Sequence, residues 1–139
     1  MISQVLVPMD GSEMAEHALE FALDNYPAAE VTVLTVVGEP SGMMGDAVGL
    51  ALEDDFEEAA NERAKEVHDR ARELAAEYDA DIDTAVAVGR PARAILNRVE
   101  EYDTVVIGSH GGSLADRLFV GNVAERVFRR SPVPVTTVR

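Results

Sequence analysis

The chain of 139 residues contains no cysteine, which removes disulfides, thiolate metal sites and thiol nucleophiles from consideration. It has no tryptophan, and aromatic residues make up only 5% of it, so the core must be built mostly from aliphatic side chains. Lysine occurs once, at Lys65, against eleven arginines; bases total 12 and acids 26, for a net charge of −14. Such a surface repels polyanions, so neither nucleic acid nor an anionic membrane is expected as a partner. The surface also reads as adaptation to a salty cytoplasm, where counterions screen the self-repulsion, with an ordinary acidic protein as the plainer alternative. No apolar run approaches the roughly 20 residues of a membrane-spanning helix, and Val5-Leu6-Val7-Pro8 follows the first methionine with no basic segment before it. A cytoplasmic location is therefore expected. The histidines His17, His68 and His110 are too scattered to suggest a zinc site.

The charge is unevenly spread. Residues 1–89 hold 21 acids and 4 bases, whereas residues 90–139 hold 5 acids and 8 bases. An anionic ligand is expected to meet the carboxyl-terminal part.

What is present is an alternation of short apolar runs and amphipathic stretches. Val5 to Met9 reads as a buried strand that ends in a turn and helix cap at Asp10-Gly11-Ser12. A helix follows to about Tyr26-Pro27, with Ala15, Ala18, Leu19 and Ala22 on one side and Glu13, Glu16 and Glu20 on the other. Glu30 to Val37 is a β-branched run suited to a strand covered on both faces. The glycine-rich stretch from Gly38 to Gly45 reads as a linker or a lid. Leu50 to Tyr78 is expected to form one long helix with a wet acidic face, and Asp81 to Val88 a third strand. Pro91 starts a helix expected to reach Tyr102, Thr104 to Gly108 is a fourth strand, a last helix runs to about Arg130, and Val133 to Val138 is the fifth strand.

Strand alternating with helix throughout implies a single α/β domain over residues 1–139. The expected architecture is a doubly wound, five-stranded parallel sheet in the order 3-2-1-4-5, with helices on both faces. Ligands of such sheets lie outside the carboxyl ends of the strands where strand order reverses, which brings Asp10 and Gly108 to one crevice. Gly108-Ser109-His110-Gly111-Gly112 closes the fourth strand, and Gly121-Asn122 opens the last helix. Glycine turns and a helix amino terminus can together cradle a phosphate. The plainer account of the same residues is a glycine turn and an asparagine cap, with Glu125 completing a capping box.

The opening Val5-Leu6-Val7-Pro8-Met9-Asp10-Gly11-Ser12, the segment Val88-Gly89-Arg90-Pro91 and the ending through Ser131-Pro132-Val133-Pro134-Val135 resemble the universal stress protein family. Gly108, Gly111, Gly121 and Asn122 follow the spacing Gly-x2-Gly-x9-Gly-(Ser/Thr or Asn) of its ATP-binding branch. The resemblance implies binding of ATP, or of AMP or ADP. Asp10 would lie near the ribose and phosphates, in part through a magnesium ion carried by the nucleotide. Val37 would meet the adenine, Gly108, Gly111 and Gly121 would bring backbone amides to ribose and phosphate, and Asn122 would lie beside the phosphate. A hydroxyl residue is usual at the position of Asn122, whose amide can still donate a hydrogen bond. The resemblance also implies a homodimer paired through Val133–Val138. His110, Arg117, Met43 and Met44 have solvent or loop roles as ready as any role toward a ligand.

With no P-loop and no convincing base for hydrolysis, a nucleotide-binding regulatory module leads, and no catalytic residue is assigned. Two other readings stay open. One is a weak ATP hydrolase in which Asp10 holds the metal; the other is a partner-binding protein with an empty cleft.

Overall fold

The computed structural model describes residues 1–38, 46–109 and 122–139, and of residues 46–57 the backbone only. Five strands, β1 (Gln4–Pro8), β2 (Glu30–Val37), β3 (Ile82–Val88), β4 (Thr104–Gly108) and β5 (Val135–Val138), form one parallel sheet in the order β3-β2-β1-β4-β5. The helices are α1 (Glu13–Asn25), α2 (Asp46–Glu77), α3 (Pro91–Leu96) and α4 (Asn122–Arg130), with a 3-10 turn at Val99–Glu101. The chain steps outward from β1 to β2 to β3, so right-handed crossovers lay α1 and α2 on one face; the return to β4 and β5 lays α3 and α4 on the other.

The two faces bury separate cores, and the two-residue period of the strands divides side chains between them. Val5, Val7, Val31, Val33 and Val106 pack against Ala15, Ala18, Leu19 and Ala22 of α1 and Val67, Ala71 and Leu74 of α2. Leu6, Leu34, Val105 and Ile107 pack against Ile95, Val99, Ala124 and Val127. With no large aromatic at the centre, Leu6, Leu19, Leu34, Leu74 and Ile95 are the largest fully buried side chains.

Three elements differ from expectation by two residues or more, while the ends of β1 and β3 shift by one. Helix α2 begins earlier, at Asp46, an acid suited to a first turn. Helix α3 stops at Leu96 rather than running to Tyr102. Asn97, a weak helix former, closes it, and the 3-10 turn re-aims the chain into β4 while Val99 stays fully buried. Strand β5 starts at Val135, not Val133, because Pro132 and Pro134 have no N–H to give a ladder; the Pro134 carbonyl still accepts from Val105 N at 3.0 Å and Thr104 Oγ1 at 2.8 Å.

At the amino edge, Asp103 ties β4 to β1. Its Oδ2 accepts from Ser3 N at 2.9 Å, Ser3 Oγ at 3.0 Å and Gln4 N at 2.9 Å. These donors hold its carboxyl below the usual carboxylate range. No helix among the described residues is long and apolar enough to cross a membrane.

Candidate functional site

The opposite, carboxyl edge holds the crevice. β1 pairs with β4 in register at Val5↔Thr104 and Leu6↔Val105, near the amino ends of both strands. On its other side β1 stays in register with β2 through Pro8↔Leu34, and β2 continues to Val37, which pairs with Val88. Met9 N donates to the Leu34 carbonyl at 2.9 Å, the last rung of the β1–β2 ladder before the chain leaves the sheet.

The Asp10-Gly11-Ser12 turn is built by short-range bonds. Asp10 Oδ1 accepts from Ser12 N at 2.9 Å, and Ser12 Oγ accepts from Ala15 N at 3.1 Å. The cap of α1 is thus Ser12, and Asp10 braces the turn one step earlier with its carboxylate exposed at the crevice. Gly11 sits at φ 86°, a left-handed conformation that permits such a turn with little strain only for glycine. A Cβ there would still clear its nearest neighbour, Val67 Cγ2, at 3.5 Å.

Gly108 closes β4 on the far side of the crevice. A Cβ there would come within 3.0 Å of both Cγ and the backbone oxygen of Met14, so close packing of α1 on β4 already demands glycine. Val37 is 8% exposed, and its carbonyl accepts from Gly89 N at 2.9 Å. Asn122 is exposed at the first turn of α4, and Glu125 Oε1 bonds Arg129 Nη2 at 2.8 Å. Of the expected ligand residues, Asp10 and Gly108 end the two strands that flank the crevice, and Val37 ends β2 beside β1. Gly111 and Gly121 lie outside the described residues, as do His110, Arg117, Met43, Met44 and the Gly38 to Gly45 stretch beyond Gly38 itself. Among the described residues no group of three His, Asp or Glu side chains converges to hold a metal.

Two polar residues that composition did not single out lie on the α2 side of β2. Thr35 is 3% exposed and His68 6%, and neither Thr35 Oγ1 nor His68 Nε2 has a hydrogen-bond partner among the described residues. Leaving such a group unpaired costs about 1–3 kcal/mol. Burial is the main force that pushes the His68 imidazole below its ordinary range; Arg72 adds to it, against a hydrogen bond to the Ala85 backbone and the charge of Asp69. The signal in the sequence was a hydroxyl amid the valines of β2 and a histidine beside Val67 within the apolar stripe Ala64, Val67, Ala71 and Leu74.

A parallel sheet in this order, with a crevice at its point of reversal, defines an open doubly wound α/β domain of the kind that takes ligands at its carboxyl edge. The universal stress protein family model matches residues 1–139, and the chain belongs to that family. Universal stress protein YxiE of Bacillus subtilis is 34% identical, with all of both chains covered. Among solved structures, the universal stress protein UspA from Lactobacillus plantarum superposes with a TM-score of 0.83 at 23% identity, covering 99% of this chain and 98% of that one. A universal stress protein in complex with cAMP superposes with a TM-score of 0.67 at 27% identity, covering 99% of this chain and 97% of that one.

Proposed function

We propose that this protein binds an adenine nucleotide, ATP or its products ADP and AMP, in the crevice between β1 and β4, and works in the cytoplasm as a nucleotide-dependent regulatory module. The observation that carries the reading is the reversal of strand order between β1 and β4, where a glycine turn at positive φ and an exposed carboxylate, Asp10, follow one strand and a glycine, Gly108, ends the other. The cAMP complex of a relative 27% identical supports an adenine nucleotide as the ligand. Residues Asp10, Val37, Gly108, Gly111, Gly121 and Asn122 would contact it. Among the described residues Asp10 has no companion acids or histidines to complete a metal site, so Mg2+ would arrive on the phosphates and relieve their repulsion by that carboxylate.

The test is calorimetric titration of nucleotide-stripped protein with Mg·ATP in concentrated KCl, beside a Gly111→Val variant. Saturable binding that the variant loses supports the reading; absence of binding by folded protein refutes it.

The module is read as a homodimer. Among the described residues β5 pairs only with β4, so its outer edge carries Val135 and Val138 with unpaired backbone groups, and Phe128 of α4 is 63% exposed. Such an edge needs covering, and a second copy can supply it. Light scattering at high salt that returned the mass of one chain would refute the dimer.

A further inference from the structure

We propose that the outer edge of β3 is a second self-association surface, at which two copies of the chain pair their β3 strands antiparallel across a twofold axis, Ile82 against Val88 and Ala85 against Ala85. The inference goes beyond the nucleotide reading and is separate from the dimer through β5.

Among the described residues β3 pairs only with β2, and none of its seven residues is buried, whereas β1 and β2 are buried almost throughout. The helices sit inward of it, α2 and α3 packing mainly on β2. Val86 is left 38% exposed and Val88 60%. The strand carries no lysine or proline to blunt its edge, and its one charge is Asp83.

The alternation of the backbone fixes the register a partner strand can use. Gly89 N donates to the Val37 carbonyl, so the odd-numbered positions turn their peptide groups to β2, and Ile82, Thr84, Val86 and Val88 turn theirs outward. The side chains of these four share the face toward α2, where Ile82 joins the core and Arg72 Nη2 donates to Thr84 Oγ1 at 3.2 Å. An antiparallel partner bonds outward-facing residues in opposed pairs. Full overlap of two β3 strands then opposes Ile82 to Val88 and Thr84 to Val86, and Ala85 meets its own copy on the axis.

Side chains and charges match this pairing of a strand with itself. The exposed Val88 of one copy lies over Ile82 of the other, beside a groove whose lining includes Ala75, Ala76 and Ala80, small side chains that leave room for it. On the opposite face Asp83 meets Ala87 rather than another acid. Past the strand ends, Arg90 of one copy comes alongside Asp79 and Asp81 of the other, all three exposed. Opposite charges therefore meet at both ends of the contact, although the whole chain carries −14. A contact of this kind is isologous, each copy giving and receiving the same groups.

The chain has no cysteine, so a single one introduced at the axis reports this contact alone. In concentrated KCl, which screens the repulsion between acidic copies, mild oxidation should convert Ala85→Cys to a covalent dimer at least about tenfold faster than Asp83→Cys. In the proposed register two Ala85 Cα atoms lie about 4.5 Å apart, within disulfide reach, and two Asp83 Cα atoms about 13 Å. Val88→Lys, at an exposed position, should lower the mass that light scattering gives for the wild type, whether or not β5 also pairs. Equal cross-linking rates for the two cysteines, or a mass that Val88→Lys leaves unchanged, would overturn the inference and leave the β3 edge open or to a different partner. Neither result bears on nucleotide binding. The lysine variant needs no cysteine, so an Ala85→Cys chain that does not fold leaves the test intact.

Discussion

Replacing Gly108 by alanine should destabilise the protein in the absence of any nucleotide. The added Cβ would lie 3.0 Å from Met14 Cγ, 3.0 Å from the Met14 carbonyl oxygen and 3.1 Å from its carbon. The Met14 side chain can swing aside, but the backbone belongs to the first turns of α1, whose Ala15, Ala18 and Leu19 are buried beneath it. Moving that turn by a few tenths of an ångström is overpacking of a dense core, worth about 1–3 kcal/mol. The lower entropy of an alanine-containing unfolded chain returns about 0.4–1 kcal/mol, leaving a net loss of about 1–2 kcal/mol. Two other glycines calibrate the value. Gly11→Ala has room at 3.5 Å but must hold φ 86°, at a cost of about 1 kcal/mol, whereas Gly38→Ala meets nothing within 4 Å and should fall within about 0.5 kcal/mol of wild type. Urea unfolding of nucleotide-free protein measures all three. A Gly108→Ala midpoint equal to that of Gly38→Ala would refute the argument that helix packing demands this glycine.

Three further outcomes follow from single residues. Asp103→Ala should lower the thermal midpoint at pH 7, because it removes the acceptor for Ser3 and Gln4; the depressed carboxyl stabilises the fold above its unfolded value of about 3.9, so the difference from wild type should shrink as pH falls below about 4. His68 is held neutral when folded, so the unfolded chain takes up its proton first and stability should begin to fall as pH drops through about 6.5; denaturation of His68→Leu between pH 7 and 5 should lack that component of the slope. Asp79, at φ 53°, ends α2 in a left-handed conformation where Ala80 N reaches back to the Ala75 carbonyl, so Asp79→Gly should raise stability by about 0.5–1 kcal/mol in the same urea assay.

The order of the elements was legible because each strand is a short β-branched run bounded by turn residues, and each helix between them shows an apolar stripe. Glu30–Val37 and Thr104–Gly108 were placed to the residue for that reason. The ends of α3 and β5 were not, because Asn97 and Pro134 act only once the chain has to re-enter the sheet. At the crevice, the Asp10-Gly11-Ser12 turn is local and announces itself. The demand for glycine at 108 has a second source that no spacing reveals, since Met14 lies far away in sequence. Thr35 and His68 were the least legible: each looks unremarkable in its own element, and only the packing of α2 on β2 buries both with an atom unpaired.

The account stands most directly on where a nucleotide binds. Titration of 15N-labelled protein with Mg·ATP, followed through the backbone amides, should shift Gly11, Ser12, Gly38, Gly108, Ser109 and Asn122 at the carboxyl edge and leave Ser3, Gln4 and Asp103 at the amino edge unmoved. Saturating ATP that moves none of the carboxyl-edge amides, or that moves only those at the amino edge, would contradict it.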